Sequence, residues 1–413
     1  ATGLPTRRAV LGRIDSLLAS ARPVAVFVIV ADEVDEIARV QGYPTAEKLL
    51  QALGELAAMS PVAQGGIVGC WGSSELVLVQ STDDPALLER SARRLLRLLE
   101  GGHHVDELLL ATSIRIGIAH STDDISGAED LLRKAAAAIP QPGSGPLGRF
   151  SPELEQALAQ RRRLRRALKQ AVPGGELTLV FQPKIDLASR RLIGAEALLR
   201  WHSADMGAVR PDIFIPLAEE TGDILAIGEW GLDEGLRHLR GWLEAGRLGG
   251  DFTLALNVSS RQLQHDGFVE GVLRRIGESG VPSARIKMEV TESVFIHDLK
   301  EAQARLGALS AAGVGVSIDD FGTGYSSLSY LKLLPVSELK IDRSFVREVG
   351  HDADDQKLVE TIIVIAHLFG CSVVAEGVET GDQLEVLRRL GCDQGQGYLF
   401  SPPVSVEEFA RML

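Results

Sequence analysis

Acidic side chains stand at the ends of several apolar runs, and each run predicts a buried strand. Asp319 and Asp320 form the clearest pair, because they follow Val314-Gly315-Val316 and lead into a loop that contains glycine. Successive strand side chains point to opposite faces, so we expect one of the pair to belong to the start of the loop. A single acid of this kind is more typical of a helix cap or a surface ion pair. The other acids of this kind are Glu196, which lies within a predicted strand, and Glu289, Asp342 and Glu376 at or just after predicted strand ends.

Carboxylates that share one mouth need neutralising partners. Neighbours ~5 Å apart repel by roughly 3 kcal/mol per pair at an effective dielectric near 20. Protonation would relieve this repulsion at acid pH, and divalent cations would relieve it at neutral pH. With the amide of Asn257 added, the candidate donors are all oxygen atoms. This set favours two Mg²⁺ or Mn²⁺ ions over zinc.

Two such cations about 4 Å apart can clamp a phosphodiester and activate a water for in-line attack. Lys340 stands among the carboxylates and would either orient that water or take its proton. Arg200 would hold a phosphate that does not react. These residues therefore indicate metal-assisted hydrolysis of a phosphodiester.

The elements that position these residues alternate between strand and helix patterns from Leu177 to Leu413. The predicted strands are 178–184, 192–201, 252–258, 285–290, 314–319, 338–341, 372–376 and 394–399. Eight strands with intervening helices predict an α/β fold of the β/α barrel type, similar to the TIM barrel. In such barrels the chemistry lies at the carboxyl ends of the strands, where the acids fall.

Residues 1 to about 150 also alternate strand and helix patterns, which predicts an α/β sandwich. We expect a strand at 24–30, a helix capped by Thr45, a hairpin at 66–79, a helix at 85–99 and a strand at 112–119. A proline- and glycine-rich link at 140–146 ends this part. Ser151-Pro152-Glu153 then opens a helix whose arginine run, 161–166, is more typical of a solvated face than of a phosphate-binding surface.

Composition restricts the class of protein. The 413 residues include 43 basic and 56 acidic side chains, and the net charge of −13 argues against a partner that is a nucleic-acid polymer. The three cysteines, Cys70, Cys371 and Cys392, have neither paired nor metal-type spacing, so we expect a reduced, cytoplasmic setting. The apolar runs fall short of the ~20 residues of a membrane helix. We expect an upstream sensor or membrane segment in the full-length protein.

The second part resembles the EAL-domain cyclic-di-GMP phosphodiesterases. The motifs that carry the resemblance are Gln182-Pro183, Glu196-Ala197-Leu198 with Arg200, Asn257-Val258-Ser259, Glu289-Val290-Thr291-Glu292, Asp319-Asp320-Phe321-Gly322, Leu339-Lys340-Ile341-Asp342, Glu376-Gly377-Val378-Glu379 and Gln396-Gly397-Tyr398. Phe181 stands where a tyrosine is common, and Lys184 where an apolar residue is common.

The resemblance implies a role for each matched residue. The first metal would be bound by Glu196, Asn257, Glu289 and Asp319, and the second would be completed by Asp320 and Asp342. The remaining assignments are Lys340 as the residue that activates the water, Glu376 and Gln396 in the shell of metal-bound water and substrate, Glu292 as the anchor of the loop after Asp320, and Gln182, Leu198 and Arg200 as contacts to the dinucleotide. The implied product is linear 5′-pGpG, and the loop that Glu292 anchors links metal binding to dimerisation in this family, which implies a homodimer.

The first part resembles the GGDEF domain of diguanylate cyclases, through Thr2-Gly3-Leu4-Pro5-Thr6-Arg7-Arg8, Gly42-Tyr43, the hairpin and Ile116-Gly117-Ile118-Ala119. The signature falls on Gly72-Ser73-Ser74-Glu75-Leu76, the first metal-binding Asp on Val30, the guanine-contacting pair on Ala38-Arg39, and the inhibitory site on 63–66. Phosphoryl transfer needs cations that this site cannot hold. We expect an inactive regulatory or dimerisation domain, with GTP binding left open.

These observations divide the chain into a degenerate GGDEF-like domain (1–145), a linker with its helix (146–175) and an EAL phosphodiesterase domain (176–413). Two alternatives stay open for the second part. One is a cyclic-di-GMP receptor with little turnover, and the other is a metal-dependent barrel with a lysine base, of the enolase kind. Release of pGpG from cyclic-di-GMP would separate them.

Overall fold

The computed structural model describes residues 2–82, 84–141, 143–292, 294–322 and 331–413. The chain separates into two units, Ala1–Arg162 and Arg163–Leu413. The boundary falls within the helix Pro152–Ala171, which begins as predicted, since Ser151 Oγ accepts a hydrogen bond from the backbone N–H of Leu154.

A five-stranded sheet forms the centre of the first unit. Its strands are β1 (Ala25–Ala31), β2 (Ile67–Cys70), β3 (Glu75–Gln80), β6 (Ile114–His120) and β7 (Leu147–Arg149), while β4 (Gly101–Val105) and β5 (Leu108–Thr112) form a separate hairpin. The order across the sheet is β2-β3-β1-β6-β7, with β1 antiparallel to both neighbours. The β4–β5 hairpin was not predicted.

Helices cover both faces of this sheet. They are Arg7–Ala19, Val34–Val40, Tyr43–Met59, Pro85–Leu99 and Ala128–Ala137. Phe27 and Ile29 of β1 pack in one core and Val26 and Val28 in the other, which explains why this strand is apolar throughout. The predicted α/β sandwich is confirmed. The predicted cap at Thr45 is wrong, because the helix begins at Tyr43 and Thr45 Oγ1 donates back to the carbonyl oxygen of Gln41.

Eight strands close into a barrel in the second unit. They are β8 (Leu177–Asp186), β9 (Leu192–Ser203), β11 (Thr253–Val258), β12 (Ile286–Thr291), β13 (Gly315–Phe321), β14 (Glu338–Ile341), β15 (Ser372–Ala375) and β16 (Gln394–Gly395), and β10 (Gly207–Val209) pairs with β9 outside the closed ring. Pairing of β8 with both β9 and β16 closes the barrel, which confirms the predicted architecture.

The first connection of the barrel differs from the expected pattern of alternating strands and helices. Only residues 187–191 join β8 to β9, and β8 is antiparallel to both of its neighbours. A parallel crossover needs a dozen or more residues, so a link this short can only make a hairpin. Asp186 stabilises the turn by accepting hydrogen bonds from the backbone N–H and the hydroxyl of Ser189.

Helices surround the barrel. Besides the helix from Pro152, they are Pro211–Thr221, Ile224–Glu244, Ser260–Leu263, Phe268–Ser279, Val294–His297, Leu299–Ala311, Arg343–Arg347, Ala353–Leu368, Gly381–Arg389 and Val406–Phe409. Alternate strand residues such as Leu254, Met288 and Leu339 pack outward against these helices. The opposite positions point into the barrel and carry charged groups, among them Glu289 and Lys340, where a TIM barrel usually holds branched apolar side chains. In the part of the chain that the structure describes, no helix combines the length and the apolar character that crossing a bilayer requires.

Candidate active site

The ammonium group of Lys340 lies at the centre of the acidic cluster. Lys340 is 1% exposed, and its Nζ lies 2.6 Å from Glu376 Oε1, 2.9 Å from Glu289 Oε2, 3.0 Å from Asp319 Oδ1 and 3.4 Å from Glu196 Oε2. Four acids from four different strands or strand ends therefore converge on one cation, as their positions in the sequence predicted.

Side-chain amides form hydrogen bonds that connect Glu196 to β8, the first strand of the barrel. Glu196 Oε1 accepts a hydrogen bond from Asn257 Nδ2 at 2.7 Å, and Oε2 accepts one from Gln396 Nε2 at 2.8 Å. Gln396 Nε2 also donates to Gln182 Oε1, and Gln182 donates to the backbone carbonyl oxygen of Ser401. The Asn257 amide thus presents its nitrogen to Glu196, which leaves its oxygen as a possible metal ligand.

A bulge in β13 brings Asp319 and Asp320 to the same site. The pairing with β14 matches Ile318 to Leu339 and Phe321 to Ile341, so both aspartates lie opposite Lys340 alone. Asp320 adopts a left-handed backbone with φ of 53°. The expectation that one of the pair starts the loop is therefore wrong, because strand alternation holds only in a regular ladder and β13 continues to Phe321.

Asp342 lies at the edge of the cluster. It caps the helix Arg343–Arg347, since its Oδ1 accepts hydrogen bonds from the backbone N–H and the hydroxyl of Ser344. Burial opposes its ionisation, but the Ser344 contacts, together with a hydrogen bond to Asp320, lower the pKa of Asp342. Asp342 therefore reaches the site through Asp320.

Two groups of three carboxylates, among the residues that the structure describes, have oxygen atoms close enough to share a metal ion. The first contains Glu196, Glu289 and Asp319, and the second contains Asp319, Asp320 and Glu376, with all ligand atoms of a group within 4.8 Å of one another. Asp319 belongs to both groups. Oxygen donors of this kind fit hard divalent cations, and a shared carboxylate fits two neighbouring ions. The second group includes Glu376, whereas the family resemblance implies Asp342 as a ligand of the second metal.

The cluster changes the acid strength of its members. Burial, with Asp319 and Asp342 nearby, raises the pKa of Asp320 to about 6. Burial also raises the pKa of Glu376 to about 8, with Asp319 and Glu196 adding to the effect and Lys340 opposing it. For Lys340 itself, burial acts in the other direction, but the surrounding carboxylates raise its pKa well above the usual value. Lys340 is therefore an ammonium ion at neutral pH.

A second layer of charge lies beneath these acids, and sequence reasoning missed it. Lys184 Nζ lies 2.5 Å from Glu289 Oε1 and 3.3 Å from Glu338 Oε1, and Lys287 Nζ lies 2.5 Å from Glu338 Oε2. Glu338 and Lys287 stand two residues before Lys340 and Glu289 on their strands, so alternation along β14 and β12 was the signal that would have found them.

Leu198, Arg200 and Glu292 are the remaining predicted residues. Leu198 and Arg200 line a cavity of about 210 Å³ to which Asn257 also contributes. Arg200 is half-buried, and its Nη1 donates to the carbonyl oxygen of Leu199. Glu292 directly follows β12, but the loop after Asp320 that it is expected to anchor falls largely on 323–330, outside the described residues.

Comparisons with known proteins match both parts of the chain. The EAL domain family matches residues 163–403, and the family described as diguanylate cyclase, GGDEF domain, matches residues 1–143. The bifunctional diguanylate cyclase/cyclic di-GMP phosphodiesterase MucR of Pseudomonas aeruginosa is 36% identical over 98% of this chain and 60% of its own length. The cyclic di-GMP phosphodiesterase PA2567 of the same organism is 35% identical over 78% of this chain and 55% of its own length. The chain therefore spans little more than half the length of these two relatives.

Solved structures give the same result. A phosphodiesterase structure of MucR in complex with c-di-GMP is 45% identical, covers 60% of this chain and 99% of its own, and has a TM-score of 0.57. The EAL enzyme Bd1971 in a cAMP-bound form is 28% identical, covers 84% of this chain and 92% of its own, and has a TM-score of 0.59. These matches confirm the resemblance that the motifs indicated. The chain belongs to the EAL domain family, with a GGDEF domain preceding the EAL domain.

Proposed function

We propose that the second unit hydrolyses cyclic-di-GMP to linear 5′-pGpG and that two divalent cations, Mg²⁺ or Mn²⁺, are required. The observation that carries this proposal is the position of Asp319, which belongs to two carboxylate groups around Lys340. The cyclic-di-GMP phosphodiesterases MucR and PA2567, to which the chain is similar, support the choice of substrate.

In this proposal the metal ligands are Glu196, Asn257, Glu289, Asp319, Asp320 and Glu376, with Asp342 holding Asp320 from behind. When bound, the two ions would supply positive charge that neutralises the phosphate and lowers the pKa of the attacking water. Hydrogen bonds from Gln396 to Gln182 and to Glu196 hold the Glu196 carboxylate in place. Leu198 and Arg200 would contact the dinucleotide from the cavity wall, with Arg200 on a phosphate that does not react.

Lys340 and Glu376 would have different roles in the reaction. Lys340 is an ammonium ion in the metal-free protein, and in this proposal it would donate hydrogen bonds and so orient the attacking water or a phosphate oxygen. Glu376 is a metal ligand in this proposal, so it would be ionised with the ions bound and would hold an ion rather than a proton. Water attacks phosphorus, the bond from phosphorus to the 3′ oxygen breaks, and the proton that the water loses ends on that oxygen.

We further propose that the first unit has no cyclase activity. Val30, at the position of a cyclase metal ligand, pairs across the sheet with Arg115. The Arg115 guanidinium binds Asp32, with Nε 2.7 Å from Oδ2, and also donates to the carbonyl oxygen of Pro140. The nearby acid is thus already neutralised by a fixed cation. We propose a regulatory or dimerisation role for residues 1–145, which residues 146–175 join to the catalytic domain at 176–413. A homodimer and the binding of GTP by the first domain are also proposals.

The test is an assay of the purified chain with cyclic-di-GMP and with GTP, adding Mg²⁺, Mn²⁺ or Ca²⁺ in turn. We expect pGpG to form with Mg²⁺ or Mn²⁺, little without added metal, and no cyclic-di-GMP to form from GTP. Tight binding of cyclic-di-GMP without pGpG would instead indicate a receptor. Formation of cyclic-di-GMP from GTP would contradict an inactive first unit.

A further inference from the structure

Five side chains inside the barrel form a chain of alternating charge, named here the buried ion chain: Lys287, Glu338, Lys184, Glu289 and Lys340. Each glutamate uses its two oxygens for two different lysines. Glu338 places Oε2 at 2.5 Å from Lys287 and Oε1 at 3.3 Å from Lys184, and Glu289 places Oε1 at 2.5 Å from Lys184 and Oε2 at 2.9 Å from Lys340. The chain begins below the proposed active site and ends at its centre.

Burial makes the ion pairs of the buried ion chain costly to break. Lys184 is 2% exposed and Glu289 is 1% exposed, while the Lys287 side chain is 13% exposed. A buried carboxylate that lost one partner would need another, and an ion pair broken on one side leaves an uncompensated charge. Because Lys184 holds Oε1 of Glu289, Oε2 is the oxygen that contacts Lys340 at the centre of the acidic cluster. The contact with Lys184 therefore opposes rotation of the Glu289 carboxylate.

We propose that Lys184 is a positioning residue of the metal site, which fixes Glu289 so that one of its oxygens joins Glu196 and Asp319 around a divalent cation. The inference deepens the proposed function and rests on it. Lys184 touches neither substrate nor water in this role and acts only through Glu289. Groups that orient a metal ligand from behind are worth roughly 10- to 100-fold in metal affinity.

A simpler explanation is that Lys184 only balances buried negative charge. Lys287 provides the matched control, because it is also a lysine of the buried ion chain but contacts Glu338 and lies one glutamate farther from the site. Lys184→Met and Lys287→Met remove the same charge. If charge balance alone mattered, both variants would affect metal binding alike.

The experiment measures Mn²⁺ binding by the full chain without substrate, from the electron paramagnetic resonance signal of free Mn²⁺. We expect Lys184→Met to weaken the tightest Mn²⁺ site about 10- to 100-fold and Lys287→Met to weaken it less than about threefold. Lys184→Met leaves Glu289 and Glu338 with one lysine fewer, so the double variant Lys184→Met/Glu338→Gln, which keeps the net charge of the wild type, guards against a failure to fold. It should show the same loss of Mn²⁺ affinity, with circular dichroism checking that it is folded.

The outcomes separate this inference from the function on which it rests. Mn²⁺ affinity at the wild-type level in a folded double variant, or an equal loss in Lys287→Met, would overturn the positioning role while leaving the metal site intact. Failure of the wild type itself to bind Mn²⁺ would overturn both the proposed metal dependence and the role of Lys184.

Discussion

Asp319 Oδ1 lies 3.0 Å from the ammonium nitrogen of Lys340, the residue that faces it across the bulge between β13 and β14. The same aspartate supplies a carboxylate oxygen to both candidate metal groups. One side chain therefore links the two halves of the acidic cluster, and this relationship leads to the first prediction.

Asp319→Asn should abolish binding of both metal ions, because each group loses a charged ligand. Mn²⁺ titration of the full chain, followed by electron paramagnetic resonance, should show two bound ions per wild-type chain and fewer than one in the variant at the same free concentration. Asp212→Asn is the matched control, since Asp212 is an exposed acid of the same unit, paired with Arg210. Retention of both ions by Asp319→Asn would contradict the shared-ligand arrangement.

Glu196→Ala should lower the rate of cyclic-di-GMP hydrolysis by at least about 100-fold, more than is typical when only a supporting residue is lost. Glu196 contacts Asn257, Gln396 and Lys340, so its removal takes away a metal ligand and the partner of three polar groups. The measurement is pGpG released at saturating Mg²⁺. Glu385→Ala, at an exposed glutamate on an outer helix, should keep the wild-type rate. Near-normal turnover in Glu196→Ala would refute the assignment.

The raised pKa of Glu376 should make the stability of the metal-free protein depend on pH. A carboxyl group with a raised folded pKa binds more protons in the folded state than in the unfolded state, so its contribution to stability is lost as pH rises. For Glu376 the window runs from the ordinary value of 4.5 to about 8. In EDTA, the melting temperature of the wild type should fall relative to Glu376→Gln between pH 5 and 8. A constant difference across this range would show that the group is not perturbed.

A shortened chain that begins at Ser151 should hydrolyse cyclic-di-GMP at a changed rate. This start keeps the Ser151 cap and the helix from Pro152, whose residues Leu164 and Leu168 pack in one core with Phe214 of the second unit. The rate should be compared with that of the full chain at equal protein concentration, after circular dichroism has established folding. A folded but wholly inert fragment would mean that the first unit takes part in the chemistry.

The sequence predicted the barrel and the converging acids because both depend on local patterns. The strand at 372–376, for example, contains a short apolar run before Glu376, and the carboxyl ends of strands in a barrel lie at one rim. Asp320 could not be placed, since its position depends on how β13 pairs with β14, and that register is a property of two strands. The role of Lys184 could not be predicted, because its partners Glu289 and Glu338 are more than a hundred positions away in the chain.

The reversed direction of β8 determines the depth at which its side chains are found. Along the other seven strands of the ring the chain rises toward the rim, whereas β8 descends, so Lys184 sits one level below Gln182, which is level with Glu196. On a strand of the usual direction, a lysine two places after Gln182 would emerge above the rim and meet the solvent. Because β8 and β9 form a hairpin, Lys184 lies beneath the carboxylates of the active site instead of at the solvent-exposed rim.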